Sequence, residues 1–474
     1  MNLETTAAAP AASDEAISVV TERVHAEEIS LVWFLYADHG GIIRGKAASA
    51  AMLHTRMITG IGHTVAMMAM SMLDHLQPVE GMGPVGEVRI MPDPSTFVPL
   101  PYAPGAGVML ADLVQPGGEP WDACARTFLK QAIAELATEG YTASAAFEPE
   151  FTLGRRALDP AGGPDRLVPA DDSLCYSATG FHLAHGYVMN LVAALEAQGL
   201  QVEHYYPELG HGQQEVSIRH APALRAADNH VLYRETVRGV AFRRGLWASL
   251  APKPVPDQAG NGTHLHLSLR DIGRRGGPGE RSVFFDPDDR YQLSQTGYHF
   301  IGGLLAHLPA LTALTCGSVN SYRRLAPQMW SSAYTVYGMD NREAAVRICS
   351  PMRTDPAGTV NLELKPSDSS ANPYLSLGAS ILAGLDGIRR KLDPGEAVNV
   401  DPATLSDTER KSVGASRLPS SLDAALDALA ADELLMDALG PLRRNAYLAV
   451  KRSEAEAFAG GDAAYECFEH FTKI

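Results

Sequence analysis

The sequence predicts an α+β protein made of a small N-terminal domain followed by a large one. Three observations carry that expectation. Short runs in which polar and apolar residues alternate recur along the chain, as in strands with one buried face. Longer stretches with helical spacing, 178–199 and 228–246 among them, lie between those runs. A chain of 474 residues with 46% hydrophobic content holds core enough for one big domain and a smaller one.

Composition narrows the function classes. A formal net charge of -16 argues against nucleic-acid and anionic-membrane partners, and no Lys/Arg block opposes it. The acidity serves mostly solubility, with a share available for metals. Cys124, Cys175, Cys316, Cys349 and Cys467 are odd in number and form no C-x-x-C pair, which suggests reduced thiols in a cytoplasm. With no basic leader and no apolar run of membrane-spanning length, the chain reads as cytoplasmic and unprocessed.

Residues 1–15 are rich in Ala, Pro and acids without periodicity and are expected to be a mobile tail. The small domain is expected over 16–115 and the large one over 116–474. Residues 29–37 read as a strand, Asp38-His-Gly-Gly as a turn and 42–46 as the returning strand. Gly40 to Lys46 also fits G-x-x-x-x-G-K. Ala47 stands where a phosphate-binding loop needs a hydroxyl for magnesium, so that reading is set aside. Met67, Met68, Met70 and Met72 form either core or a pliable binding wall, core being the simpler reading. Proline-punctuated short strands then close the small domain near residue 115. Helical spacing over 121–140 opens the large one.

In Ala145-Ala-Phe-Glu-Pro-Glu-Phe151, alternation puts Glu148 and Glu150 on one face and Phe147, Pro149 and Phe151 on the other. Neighbouring carboxylates repel unless a cation sits between them, although such a pair alone is more often an exposed edge. A Pro/Asp/Gly-rich excursion to about 177 precedes the helical stretch that stops at Gly199. The segment from Glu203 through Glu208 to Glu215 carries a glycine-rich turn, after which Glu215 and Ser217 oppose Val216 and Ile218. In Ala259-Gly-Asn-Gly-Thr-His-Leu-His-Leu-Ser-Leu269, His264, His266 and Ser268 share a face behind a glycine turn. Alone, such a strand more often carries solvated histidines. Asn361, Glu363 and Lys365 repeat the pattern against Leu362 and Leu364.

Glu148, Glu150, Glu208, Glu215, His264 and Glu363 offer five carboxylates and one imidazole, a set suited to hard divalent cations that also carry phosphate oxygens. Magnesium or manganese fits, whereas zinc wants more nitrogen or sulfur. Arg323, Arg324, Arg342 and Arg347 cluster downstream, and guanidinium groups fork onto carboxylate or phosphate. An acid-lined metal site with arginines opposite reads as phosphoryl transfer onto an acid. Each arginine singly is as easily a solvated one.

FEPEF, the E-x-x-x-x-x-x-E segment around Gly212, GNGTHLHLSL, VNSYRRL, NREAAVRI, LELKPSDSSANPYL and GLDGI occur in that order, and the chain from about Leu31 onward resembles the glutamine synthetase superfamily. The resemblance implies a β-grasp-like small domain and a catalytic domain whose antiparallel strands form a funnel surrounded by helices. It also implies self-association into stacked hexameric rings, a dodecamer with sites at subunit boundaries. By resemblance, Glu150, Glu208 and Glu215 hold one metal and Glu148, His264 and Glu363 another, with two or three Mg2+ or Mn2+ per site. Glu203, His266 and Ser268 fall at nucleotide-contacting positions and Arg347 at a phosphate-contacting one. Gly260, Arg324, Arg342 and Lys365 fall at glutamate-binding positions, Arg324 and Arg342 also meeting the acyl phosphate. The implied reaction uses ATP to phosphorylate the glutamate side chain, after which an amine attacks.

Departures from the family pattern redirect the amine. The loop carrying an ammonium-binding acid aligns with Thr59-Gly-Ile-Gly62, and the glutamate-bearing flap reads Pro327-Gln-Met-Trp330. Each lost charge-assisted contact is worth about 1.5–3 kcal/mol, so ammonia is expected to be a poor substrate. Thr59, Met329 and Trp330 with the Met-rich segment suggest an apolar pocket for a primary amine, an aryl amine such as aniline or a small alkylamine such as methylamine. That resembles the γ-glutamylamide synthetase branch of the family. Ala259 and Lys365 replace a glutamate-binding Asn and Arg of the pattern, and lysine keeps the charge without the fork. The tyrosine that some bacterial members adenylylate has no counterpart in 394–407. Two alternatives stand beside this reading: an ordinary glutamine synthetase using ammonia, and a non-catalytic relative, which would be expected to lose metal ligands although all six are present.

Overall fold

The computed structural model describes residues 13–158, 166–273 and 281–474. Of the expected tail, residues 1–12 lie outside the described residues. Asp14 and Glu15 are already helical: Ser13 caps the helix Asp14–Ala26 by accepting from Ala16 N, and acids in its first turn suit the helix dipole. Ile17, Val20 and Val24 bury one stripe of it on the small domain's core.

The small domain is a mixed sheet. Leu31–Ala37 and Ala106–Val114 run parallel at its centre, with Ile43–Ser49 on one side and Glu87–Pro92 then Ile61–Thr64 on the other. The expected hairpin is present, with Ala37 opposite Ile43. Its glycines serve docking: Gly41 has φ +83°, and a Cβ there would lie 2.1 Å from the Ser370 carbonyl oxygen. The P-loop-like motif thus seats the hairpin on the large domain. Met68 and Met72 are core, while Met67 and Met70 are partly exposed.

One long strand, Tyr141–Ala157, organises the large domain. Thr263–Asp271 pairs antiparallel with residues 141–149 of it and Gln213–Ile218 with residues 150–152. Val202–Pro207 extends the sheet beyond Gln213–Ile218, and Asn361–Leu364 extends it beyond Thr263–Asp271. Ala344–Cys349 follows, and Tyr334–Met339 closes that edge. That last pair is parallel, so the expected antiparallel funnel carries one exception. Helices Gln295–Thr315 and Pro373–Arg390 are buried along most of their length in the same core as the strands' apolar faces. Arg126, 3% exposed, knits the domains together: it donates to Asp228 at 2.9 and 3.0 Å, to Asp112 at 3.1 Å and to Asp93 at 2.8 Å. Among the described residues no helix is long and apolar enough to cross a membrane. All five cysteines are free thiols.

Candidate active site

Register brings the alternating acids together. Glu148 lies opposite His264, Glu150 opposite Glu215, and Glu363 lies between His266 and Arg347. Because alternate residues share a face, these pairings stack the predicted residues on one side of the sheet. His264 Nδ1 is 3.2 Å from Glu363 Oε1 and 3.8 Å from Glu148 Oε2. Glu148, His264 and Glu363 offer one ligand atom each, all within 4.8 Å of one another, the trio grouped by resemblance. Arg347 Nε donates to Glu363, and Lys365 Nζ is 3.5 Å from Glu363 Oε1.

The other three carboxylates line the adjoining half. Glu150 Oε2 accepts from Gly262 N at 3.0 Å and from Gln213 Nε2 at 2.8 Å. Glu215 accepts from the Tyr206 hydroxyl. Glu208 accepts from Leu209 N at 3.0 Å and from the Tyr176 hydroxyl at 3.5 Å.

The two halves differ in charge balance. Burial works against ionised Glu363, but Lys365, His264, His266 and Arg347 outweigh it and hold its carboxyl far below the usual range. Burial likewise opposes ionised Glu148, yet hydrogen bonds with His264 and His266 keep it well down. On the other side burial pushes Glu150 up to about 7, with Glu208 adding to the rise, and lifts Glu208 as well. Burial and the nearby Glu148 and Glu150 raise Glu215 well above the ordinary value. Buried carboxylates in excess of their cationic partners call for a cation. His264, lowered to about 4 chiefly by burial, is a neutral imidazole, the form that binds metal. The donor set therefore fits hard divalent ions.

Around this centre lie three subsites. Glu203, His266 and Ser268, expected at the nucleotide, line a common cavity of about 350 Å³ together with Asn361 and Met352. Arg347 is not among its lining residues. On the acyl side, Arg324 Nη2 sits 3.1 Å from His264 Nε2, and Lys365 Nζ sits 3.3 Å from the same atom. The glycine turn makes that possible: a Cβ on Gly262 would lie 2.5 Å from Arg324 Nη2, and one on Gly260 would lie 2.5 Å from the Pro252 carbonyl oxygen. Arg342 is exposed, and its charge acts on Glu208 and Tyr176.

The third subsite, around Trp330, expected in an apolar amine pocket, carries acids as well as the indole. Trp330 and Arg342 share a cavity of about 490 Å³ with three carboxylates, Asp340, Glu343 and Asp401. Trp330 N donates to Glu343 Oε1 at 2.7 Å, and Gln328 Nε2 donates to Asp401 Oδ2 at 3.2 Å. Asp340 and Glu343 follow the flap by 10 and 13 residues and Asp401 by 71, so the flap's own sequence shows only the apolar half. Met329 and Trp330 are 41% and 63% exposed. Thr59 does not join them within its own chain: it ends the helix Ala50–Thr59, exposed, with its hydroxyl donating to Thr55 O at 3.0 Å, and it lines neither cavity.

Three further residues reach the site that the sequence did not single out. Tyr176 meets Tyr206 edge-on at 5.2 Å, and His204 stacks on Tyr206 at 5.7 Å. His204, Tyr206 and Glu208 alternate along one stretch, the signal that could have found them.

The chain is 37% identical to the gamma-glutamylpolyamine synthetase of Streptomyces coelicolor over 90% of each protein. It is 31% identical to the glutamate–methylamine ligase of Methyloversatilis universalis, over 88% of this chain and 90% of that one. A solved complex of GmaS with ADP superposes with a TM-score of 0.80 at 29% identity, covering 94% of this chain and 98% of the other. Sequence profiles for the glutamine synthetase catalytic domain, matching residues 122–469, and for the glutamine synthetase N-terminal domain, matching 15–121, establish that the chain belongs to the glutamine synthetase family.

Proposed function

We propose that the protein is an ATP-dependent ligase that joins the γ-carboxylate of glutamate to a primary amine through γ-glutamyl phosphate. The observation that carries this reading is the grouping of Glu148, His264, Glu363 and Glu215 on one sheet face, with Glu150 opposite Glu215, beside the cavity that Glu203, His266 and Ser268 line. The similarity to a polyamine and a methylamine ligase supports an amine as the nitrogen donor.

Glu148, His264 and Glu363 on one side, and Glu150, Glu208 and Glu215 on the other, hold Mg2+ or Mn2+, which neutralise phosphate oxygens when bound. In the first step a γ-carboxylate oxygen of glutamate bonds to the γ-phosphorus of ATP as the bond to ADP breaks. In the second the amine first gives its ammonium proton to a carboxylate beside Trp330, its nitrogen then attacks the acyl carbon, phosphate leaves and the nitrogen gives up a further proton. Arg324, Arg342 and Lys365 hold the substrate carboxylates beside Gly260, and Arg324 and Arg342 balance charge on the acyl phosphate. Arg347 steadies Glu363 and falls, by resemblance, at a phosphate-contacting position. Thr59 enters this reading only through a second copy of the chain, in the ring assembly that the family resemblance implies.

The carboxylates beside Trp330 favour an amine that arrives as a cation. An alkylamine has a pKa of about 10.4 and is protonated at neutral pH, whereas an aryl amine brings no charge to partner with Asp340, Glu343 or Asp401. An indole face adds cation–π attraction for the same ion. Methylamine or a short aliphatic diamine is therefore preferred over aniline. The test is ADP release with glutamate, Mg2+ and an amine panel. Alkylamines should turn over well above aniline. Ammonia as the best substrate returns the enzyme to ordinary glutamine synthetase activity, and silence with every amine ends the ligase reading.

A further inference from the structure

Glu148 points its two carboxylate oxygens at different partners. Oε2 lies 3.8 Å from His264 Nδ1 and 3.3 Å from His266 Nε2, whereas Oε1 lies 3.9 Å from His204 Nε2. His204, Glu148 and Glu215 thus form a second group whose ligand atoms all fall within 4.8 Å of one another. Two ligand atoms on one ion are at most about 4.2 Å apart, twice an ordinary ligand distance of about 2.1 Å, so closing this group takes only small side-chain movement.

The local structure explains why His204 is aimed there. It lies opposite Ser217 across the strand pair, and Ser217 Oγ sits 3.4 Å from Glu148 Oε1 and 3.3 Å from Glu215 Oε1. Its ring is held nearly coplanar, at 8°, over Tyr206, whose hydroxyl is anchored on Glu215. Among the described residues no hydrogen bond engages its ring nitrogens, and the contact with Glu148 is too long to be one. The imidazole therefore keeps both ring nitrogens open to a partner from outside the chain, on the wall of the cavity that Glu203, His266 and Ser268 line.

We propose that His204 is a further ligand of the divalent-cation centre: its Nε2 joins Glu148 and Glu215 around one ion, gives the centre a second imidazole beside His264, and biases it toward Mn2+ over Mg2+. The inference rests on the reading of this face as a divalent-cation centre. Carboxylates alone suit Mg2+ and Mn2+ alike, whereas each added nitrogen ligand favours the transition ion. Glu148 is common to both groups.

Pulsed electron paramagnetic resonance of the full chain loaded with Mn2+ tests the assignment directly. The wild type should show nitrogen couplings from two imidazoles, with His204→Gln removing one and His264→Gln the other. His204→Gln should also weaken Mn2+ binding about tenfold or more, and Mg2+ binding by much less. His204 is exposed, so the variant should keep the wild-type melting temperature without metal. Unchanged nitrogen couplings and Mn2+ affinity in His204→Gln overturn the proposal. So does a loss of ATP affinity alone, which makes His204 a nucleotide contact. Absence of Mn2+ binding to the wild type removes the cation centre and this inference together. Binding with the His264 coupling alone removes only the role of His204.

Discussion

Glu150 and Glu215 are direct cross-strand partners, two carboxylates set opposite one another on an antiparallel pair. Like charges so placed destabilise a sheet, and burial makes their repulsion harder to screen. Metal-stripped protein should therefore gain stability on addition of Mg2+ or Mn2+, by about 2.7 kcal/mol at a hundredfold excess over Kd. The double variant Glu150→Gln, Glu215→Gln should melt higher than the stripped wild type and lose most of the metal-induced gain. Thermal melts with and without each ion check both expectations.

The cavity that Trp330 shares with Glu343 and Asp401 should read charge on the amine. Glu343→Gln and Asp401→Asn each remove one carboxylate, and a lost charge-assisted contact of about 1.5–3 kcal/mol corresponds to roughly a 10- to 100-fold rise in KM for an alkylammonium. KM for glutamate and for ATP should move little. Steady-state kinetics with one substrate varied at a time separates the effects. Equal rises in all three KM values would count against the cavity as the amine port.

His307 bridges three helical segments, with Nδ1 2.6 Å from Asp432 Oδ2 and Nε2 3.1 Å from Asp386 Oδ2. Burial disfavours its cation, but hydrogen bonds to Asp432 and Asp386 prevail and raise its pKa. The folded state thus holds this proton more tightly than the unfolded one. Its contribution is complete below about pH 6.5, the unfolded value, and fades as pH rises through the raised folded value. Wild type minus His307→Gln should show a stability difference in denaturant that is largest near pH 6 and shrinks toward pH 9.

Arg126 is the buried cation on which Asp93, Asp112 and Asp228 converge. Arg126→Ala strands those acids, and breaking a buried pair costs about 3–5 kcal/mol. Urea unfolding should shift accordingly, and removing Asp112 alone should cost less because Arg126 keeps two other partners.

Much of the catalytic face could be read from sequence because its residues sit on strands, where a period of two assigns each side chain to a face. FEPEF, HLHLSL and LEL placed Glu148, Glu150, His264, His266 and Glu363 on the exposed side of greasy strands, and the folded register joins them. Alternation cannot say which strands are neighbours, so the opposition of Glu150 and Glu215 was not foreseeable from it. His204 and Tyr206 escaped because Glu208 was read singly rather than as the end of an alternating stretch. The carboxylates beside Trp330 were hidden for a different reason. Asp340, Glu343 and Asp401 lie on turns that have no period, and only tertiary folding brings 399–401 against the flap.

The strand Tyr141–Ala157 carries Glu148 and Glu150 and pairs with the strands of Glu215 and His264, while the residues around Trp330 hang on turns at the sheet's far edge. That separation leaves the nitrogen-donor side largely on turns, with Arg342 common to it and to the phosphorylation machinery. Exchanging 326–332 together with 399–401 between relatives could retarget the enzyme to another amine, because no hydrogen-bonded ladder of the funnel need be rebuilt.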